Sequence, residues 1–402
     1  MMETLHYIAG GVTAPRGFLA SGLACGLKKS GKPDLALVYS EKPAAGAAVF
    51  TTNKVKAAPV LLSQEHLNHP YTQAVLINSA NANACVGPQG SRDALQIATA
   101  MAKLLNLPPA ALFVASTGVI GVPLPVPPIL AALPALKEKL SPSGGNDAAR
   151  AIMTTDTFTK EWAVAYQQDG REIRIGGMVK GSGMIQPQMA TMLAVITTDA
   201  PVEKALLQEV LRSVVDRTFN RITVDGDTST NDSVFLLANG MAGGEPLKAG
   251  PALDAFTQAL EEVCRQLALM IVKDGEGATK LITVKVTGTR TEAEAVTAAR
   301  AVANSPLVKT AFYGEDANWG RILAAVGYSG IDFSPEKVTI HLGDLLVYYG
   351  QSIPFDEGVA KKILAEKEIT TEINLNQGNA AATIWTCDLS QEYVRINGSY
   401  RS

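Results

Sequence analysis

Within KGSGMIQPQMATMLAVITTDA (Lys180–Ala200), a small residue precedes a hydroxyl-bearing one, Ala190–Thr191, just ahead of an apolar run. That pair can do chemistry with no other side chain. A threonine hydroxyl can attack the carbonyl before it, giving an ester that water then hydrolyses. The cut leaves threonine at a new N-terminus, where its own α-amine, with an ordinary pKa of roughly 7.7–8, can take the hydroxyl proton unaided. Such a step needs Ser, Thr or Cys after the bond, favours an unhindered residue before it, and requires a constrained backbone. Ala190 and Thr191 meet the first two demands, and Gly181 and Gly183 permit unusual backbone angles. Any Ala-Thr in a strand shares the pattern, so on these residues alone the plainer reading of Thr191 is a β-branched strand residue.

Other chemistries find no footing. There is no GxxxxGK[ST] and no GxGxxG opening a helix. VASTGVIG lacks the glycine two residues before a serine that a nucleophile elbow needs. TVDGDTSTNDS (Thr223–Ser233) puts Asp225 and Asp227 at the first and third positions of a calcium loop, but Thr230 stands where glycine belongs and Leu236 where glutamate does. A hydrogen-bonded turn of short polar side chains fits better, and the wall of a site would supply their partners. His6, His66, His69 and His341 sit outside every glycine-rich or polar cluster, so a Ser-His-Asp arrangement is hard to assemble. His66 and His69 have helical spacing but no acidic or thiol neighbour, and read as a solvated pair rather than metal ligands.

The 402 residues suffice for one large domain or two ordinary ones, and 47% hydrophobic with 18% charged residues argues against disorder. A net charge of −3 with both signs interspersed leaves no basic stripe for nucleic acid. MMETLHYIAG lacks the apolar core of a secretory signal, and the most apolar stretch, Val119–Leu136, carries five prolines, so a membrane span is not expected. Cys25, Cys85, Cys264 and Cys387 are far apart and suit reduced, mostly buried thiols in a cytoplasmic protein.

These residues must be held by a layered α/β body. DLALVYS, AAVFTT and AVLINS are strand-length apolar runs, Ser91–Leu105 is helical, and Val119–Leu136 reads as a loop feeding a short helix. SPSGGND (Ser141–Asp147) is a loop by composition. Asp199 is the expected N-cap of a helix with Pro201 in its first turn and Leu206, Leu207, Val210, Leu211, Val214 and Val215 on one face. A second helix runs from about Pro251 to Lys273. LITVKVTG alternates as a strand, TEAEAVTAARAVA is a third helix, and VTIHLGDLLVYYG is a hairpin turning at Gly343-Asp344. Few βαβ repeats occur, so the sheets should be largely antiparallel. The alternation in YVRINGSYRS predicts a terminal strand docked back onto the body.

Eight strings, in order along nearly the whole chain, carry a resemblance: NSANANACVG, STGVIG, MTTDT, KGSGMIQPQMATML, NRITVDGDTSTNDS, IVKDGEGATK, YGEDANWGRI and YVRINGSYRS. The chain resembles the ornithine acetyltransferases, or glutamate N-acetyltransferases, of arginine biosynthesis. The resemblance implies an N-terminal-nucleophile-like sandwich of sheets flanked by helices, with a smaller C-terminal α/β lobe over about 281–402 whose last residues return to the active site. It implies self-cleavage between Ala190 and Thr191, giving an α chain (1–190) and a β chain (191–402) that assemble as two α and two β. Thr191 then carries the acetyl group from N-acetylornithine to glutamate. Thr117 and Gly118 are implied as the oxyanion hole, and Thr154, Lys180, Thr191, Glu276, Asn397 and Ser402 as substrate contacts, with no metal and no cofactor. Whether acetyl-CoA also serves as donor is left open.

Electrostatics agrees with a covalent intermediate. Ornithine offers a positive side-chain amine and glutamate a negative carboxylate, and an acetyl-enzyme lets the two use one pocket in turn. Lys180 suits their shared α-carboxylate, and Glu276 an ammonium. Two other readings stay open: a self-processing amidohydrolase that passes the acyl group to water, and an uncut binding protein.

Overall fold

The computed structural model describes residues 5–186 and 192–399. The chain divides into two units, Met1–Asn220 with Asp227–Ile271, and Arg221–Gly226 with Val272–Ser402.

The first unit contains, in order, β1 (His6–Tyr7), β2 (Phe18–Leu23), β3 (Leu35–Phe50), α1 (Ala58–His66), β4 (Thr72–Asn78), α2 (Pro88–Leu105), β5 (Leu112–Ser116), α3 (Val126–Glu138) and α4 (Gly145–Ile152). β6 (Lys160–Gln168), β7 (Arg171–Lys180), β8 (Leu193–Thr198), α5 (Lys204–Arg217), β9 (Ser233–Ala238) and α6 (Pro251–Lys273) complete it. DLALVYS and AAVFTT both fall largely within one long strand, β3. Its first half pairs with β2 and β4, its second half with β9, and the register breaks between Tyr39 and Ala44, around Pro43. A proline cannot donate to a ladder, so the strand changes partners there.

Side-chain alternation along the strands builds the layers. Leu35, Leu37, Leu76, Leu112 and Val114 point toward α2 and α3 and pack on Ile97, Met101, Ile129 and Leu133. Among the described residues the strands form one nine-stranded sheet, β1-β6-β7-β8-β9-β3-β4-β5 with β2 on β3. The residues alternating with those leucines and Val114, namely Ala36, Val38, Ile77 and Phe113, face its β7–β8–β9 half, meeting Met178, Val195, Phe235 and Leu237. Phe113 and Phe235 stack at 5.0 Å across this seam. Against β3 and β7 lie α5, whose Gln208 amide hydrogen-bonds both backbone groups of Ala48, and α6, whose Leu267 abuts Gly177. Most pairings are antiparallel, as expected, with β4–β5 and β8–β9 the parallel pairs in this unit.

Asp199 does not cap a helix. It is fully buried, accepts from the Arg174 N–H at 2.8 Å and from Arg16 Nη1 at 2.6 Å, and α5 starts five residues later with no side-chain cap. An arginine partner outcompetes a cap for a buried carboxylate, because only it neutralises the charge.

The second unit holds β10 (Leu281–Thr289), α7 (Glu292–Asn304), α8 (Pro306–Tyr313), α9 (Trp319–Gly327), β11 (Thr339–Leu342), β12 (Leu345–Tyr349), α10 (Glu357–Leu364), β13 (Glu368–Asn374), β14 (Ala380–Cys387) and α11 (Gln391–Gly398). Its sheet runs β12-β11-β13-β10-β14, parallel only at β10–β13. Ile282, Val284 and Val286 alternate into a core with Ala295, Ala298, Ala299 and Val302 of α7. The β11–β12 hairpin turns at Gly343 (φ +55°) as the sequence predicts. The expected terminal strand is instead α11, capped by the Ser390 hydroxyl at the Glu392 N–H. No described helix is long and apolar enough to cross a membrane.

Candidate active site

β4 and β5 are parallel neighbours in register at Asn78 and Ser116, so the turns that follow them lie side by side. NSANANAC winds through positive φ at Ala80, Asn83 and Cys85. Thr117 donates its N–H to Asn78 O (3.0 Å), and Val119 its N–H to Ala80 O (3.2 Å). Between them Gly118 sits at φ +137°, where a Cβ would come within 2.2 Å of the Ala80 carbonyl carbon and 2.5 Å of the Asn81 nitrogen. Only glycine fits. The TSTNDS loop braces this turn: Asn231 Nδ2 donates to Ala82 O at 2.6 Å and to Ser116 O at 2.8 Å.

The β6–β7 hairpin supplies the charged side. Lys160, the first residue of β6, lies opposite Val179, so Lys160 and Lys180 emerge at the same end. Lys180 is 8% exposed, and its Nζ lies 3.5 Å from Thr117 Oγ1, a proximity rather than a strong hydrogen bond. Next to it is Asp156. Its Oδ1 accepts from Lys160 Nζ (2.6 Å) and the Gly181 N–H (2.8 Å), and its Oδ2 from the Thr154 N–H (2.8 Å). Burial alone would raise the Asp156 pKa, but the charges of Lys180 and Lys160 and the Gly181 hydrogen bond outweigh it and hold the carboxyl down at about 2. Lys28 faces the same cluster, its pKa lowered by burial against the pull of Asp34 and Asp156.

In the second unit, Glu276 is buried in the turn after α6 and accepts from Asn397 Nδ2 at 2.8 Å. The adjoining Gly277 has φ +72°, and a Cβ there would lie 2.6 Å from the Tyr393 nitrogen, so α11 packs directly on the glycine. Tyr393 OH donates to Asp225 Oδ2 at 3.2 Å.

Thr117, Gly118, Thr154 and Lys180 therefore gather in the first unit, and Glu276 with Asn397 in the second. Ala190, Thr191 and Ser402 lie outside the described residues. Lys180 and Glu276 are both buried, Glu276 within a turn. Sequence reasoning passed over Asp156, Lys160 and Asn231, although Asp156 and Asn231 stand inside two of the strings it used. His66 is not a solvated residue: it is buried, with Nδ1 2.7 Å from Leu112 O, while His69 Nδ1 faces Tyr71 O. Of the thiols, Cys264 and Cys387 are buried, Cys25 is half-buried and Cys85 is exposed, fewer buried than expected.

A model of the ArgJ family matches residues 19–402. The chain belongs to the ArgJ family. An arginine biosynthesis bifunctional protein ArgJ of Symbiobacterium thermophilum is 53% identical over 402 residues, covering 99% of this chain and 100% of its own. Its counterpart in Caldanaerobacter subterraneus is 51% identical with the same coverage of each chain. The crystal structure of a Bacillus halodurans protein of that name is 45% identical, with a TM-score of 0.51, and covers 52% of this chain and 100% of its own. ArgJ membership thus spans both units and every string that carried the resemblance.

Proposed function

We propose that this chain transfers acetyl from N-acetylornithine to glutamate through an ester on Thr191, after cutting its own backbone between Ala190 and Thr191. In the cutting step the Thr191 hydroxyl attacks the Ala190 carbonyl, the peptide nitrogen leaves as an amine, and water hydrolyses the resulting ester. In the first half-reaction the freed α-amine takes the hydroxyl proton, the oxygen attacks the acetyl carbonyl, and ornithine departs with that proton. Glutamate's α-amine then attacks the ester, and N-acetylglutamate leaves as the threonine hydroxyl re-forms. Both half-reactions pass through a tetrahedral oxyanion, for which Thr117 and the Gly118 N–H are the proposed donors.

The observation that carries this reading is the approach of Lys180 to Thr117, residues 63 positions apart in the chain, within 3.5 Å. It sets a buried cation for a substrate carboxylate beside the proposed oxyanion donor. ArgJ membership supports the reading, since relatives named arginine biosynthesis bifunctional proteins match over full length. The Bacillus halodurans chain, matched in full, covers about half of this one, the length that a cut after Ala190 would leave. Glu276, held by Asn397, is the proposed ammonium partner, with Thr154 and Ser402 as further contacts. The cut products are an α chain (1–190) and a β chain (191–402), the latter ending in a lobe over about 281–402, in a cytoplasmic N-terminal-nucleophile-like assembly of two α and two β.

Purified protein is incubated with acetyl-labelled N-acetylornithine and glutamate. Label on glutamate is the expected result, and free acetate would instead point to an amidohydrolase. Replacing the donor by acetyl-CoA tests whether the chain also makes N-acetylglutamate by that route.

A further inference from the structure

We infer that Asp156 is a positioning residue of this reaction, holding Lys180, Thr154 and the Gly181 backbone in one arrangement; the role rests on the transfer proposed above. Its side chain is fully buried together with that of Lys160, 2.6 Å away. A buried carboxylate is tolerated only when its charge is matched and its lone pairs are filled, and here the partners that do so are the site itself. Oδ1 binds the N–H of Gly181, the residue after Lys180 and the first of the segment leading to Ala190–Thr191. Oδ2 binds the N–H of Thr154. One rigid group therefore fixes the exit of β7, the start of β6 and the loop between α4 and β6, and places one negative charge among Lys28, Lys160 and Lys180.

Asp156 touches no reacting atom in this scheme. It acts through Lys180, whose ammonium is proposed to meet the α-carboxylate that both substrates share. Loss of the Asp156 charge should therefore weaken both substrates by the same factor. General damage to the fold would instead lower the amount of active enzyme and leave the Michaelis constants alone.

The test uses the full-length protein, with the cleaved fraction of each preparation measured by intact mass so that rates refer to cleaved enzyme. Asp156→Asn keeps the shape and removes the charge. Its KM for N-acetylornithine and for glutamate should rise together, on the order of tenfold or more, with a smaller change in kcat. Lys160→Met removes the neighbouring positive charge, which leaves Asp156 to draw Lys180 away from substrate, and should raise both KM values as well. The double variant Asp156→Asn/Lys160→Met still lacks the carboxylate that binds the Gly181 and Thr154 N–H groups, so both KM values should stay raised above wild type. If Asp156→Asn does not fold, the double variant, in which the neighbouring Lys160 charge is removed as well, is read against wild type in its place. Unchanged KM values in the single variants, or a double variant with wild-type KM values, would overturn the positioning role while leaving the transfer reading intact. Wild-type protein that transfers no acetyl at all would overturn both.

Discussion

Gly118 and Ala80 approach so closely that a methyl group on Gly118 would sit 2.2 Å from the Ala80 carbonyl carbon. The backbone of one turn is thereby seated against the backbone of its neighbour, and Thr117 is delivered to within 3.5 Å of the Lys180 ammonium. Packing of this kind does not adjust smoothly to an added atom.

Gly118→Ala should therefore displace the turn and misplace both proposed oxyanion donors. Removing one such donor typically lowers kcat by about a hundred- to a thousandfold, and steady-state rates of acetyl transfer measure it. Activity within twofold of wild type would separate Gly118 from the chemistry.

Lys180→Ala should raise the KM for N-acetylornithine and for glutamate by similar factors, on the order of tenfold or more, because both carry the same α-carboxylate. Initial-rate kinetics with each substrate varied in turn decide it. Unchanged Michaelis constants would remove Lys180 from substrate binding.

Glu276→Gln keeps an acceptor for Asn397 Nδ2 and deletes the charge. It should weaken N-acetylornithine, which presents a side-chain ammonium, more than glutamate, whose side chain is a carboxylate. The ratio of the two kcat/KM values reads this directly, and a shift favouring N-acetylornithine would reverse the assignment.

Asp156 also makes stability depend on acid. Its carboxyl titrates near 2 in the folded protein, against an ordinary value of 3.8. Folding therefore gains from the charged form above about pH 4 and loses that gain as pH falls through about 2, an effect of roughly 2 kcal/mol. Urea denaturation of wild type and Asp156→Asn across that interval should show a difference in unfolding free energy that shrinks as pH falls. A constant difference would mean that the carboxylate charge is not what stabilises.

The legible parts of the molecule were those set by local pattern. The alternation of Ile282, Val284 and Val286 marks a strand half-buried on a helix, and the Gly343 turn marks its hairpin, because period and turn chemistry act over a few residues. Thr117, Gly118, Thr154 and Lys180 were singled out only as parts of ordered strings, since no local pattern marks any of the four. Asp199 misled because its capping pattern is local while Arg16, the partner that decides its role, is 183 residues away. α11 misled because Tyr393, Ile396 and Asn397 also satisfy a helical i, i+3, i+4 spacing, and the Ser390 cap with the Glu276–Asn397 hydrogen bond favours the helix. Asp156 and Lys160 carried no signal of their own. Four residues apart outside a helix, they meet only because β6 begins where the loop from α4 ends.

The most direct test of the threonine chemistry is the intact mass of purified protein after incubation with N-acetylornithine and no acceptor. Wild type should appear as two fragments dividing between Ala190 and Thr191, with a single acetyl group added to the second, and Thr191→Ala as one unmodified chain. A wild-type chain that stays whole and still moves acetyl onto glutamate would contradict it.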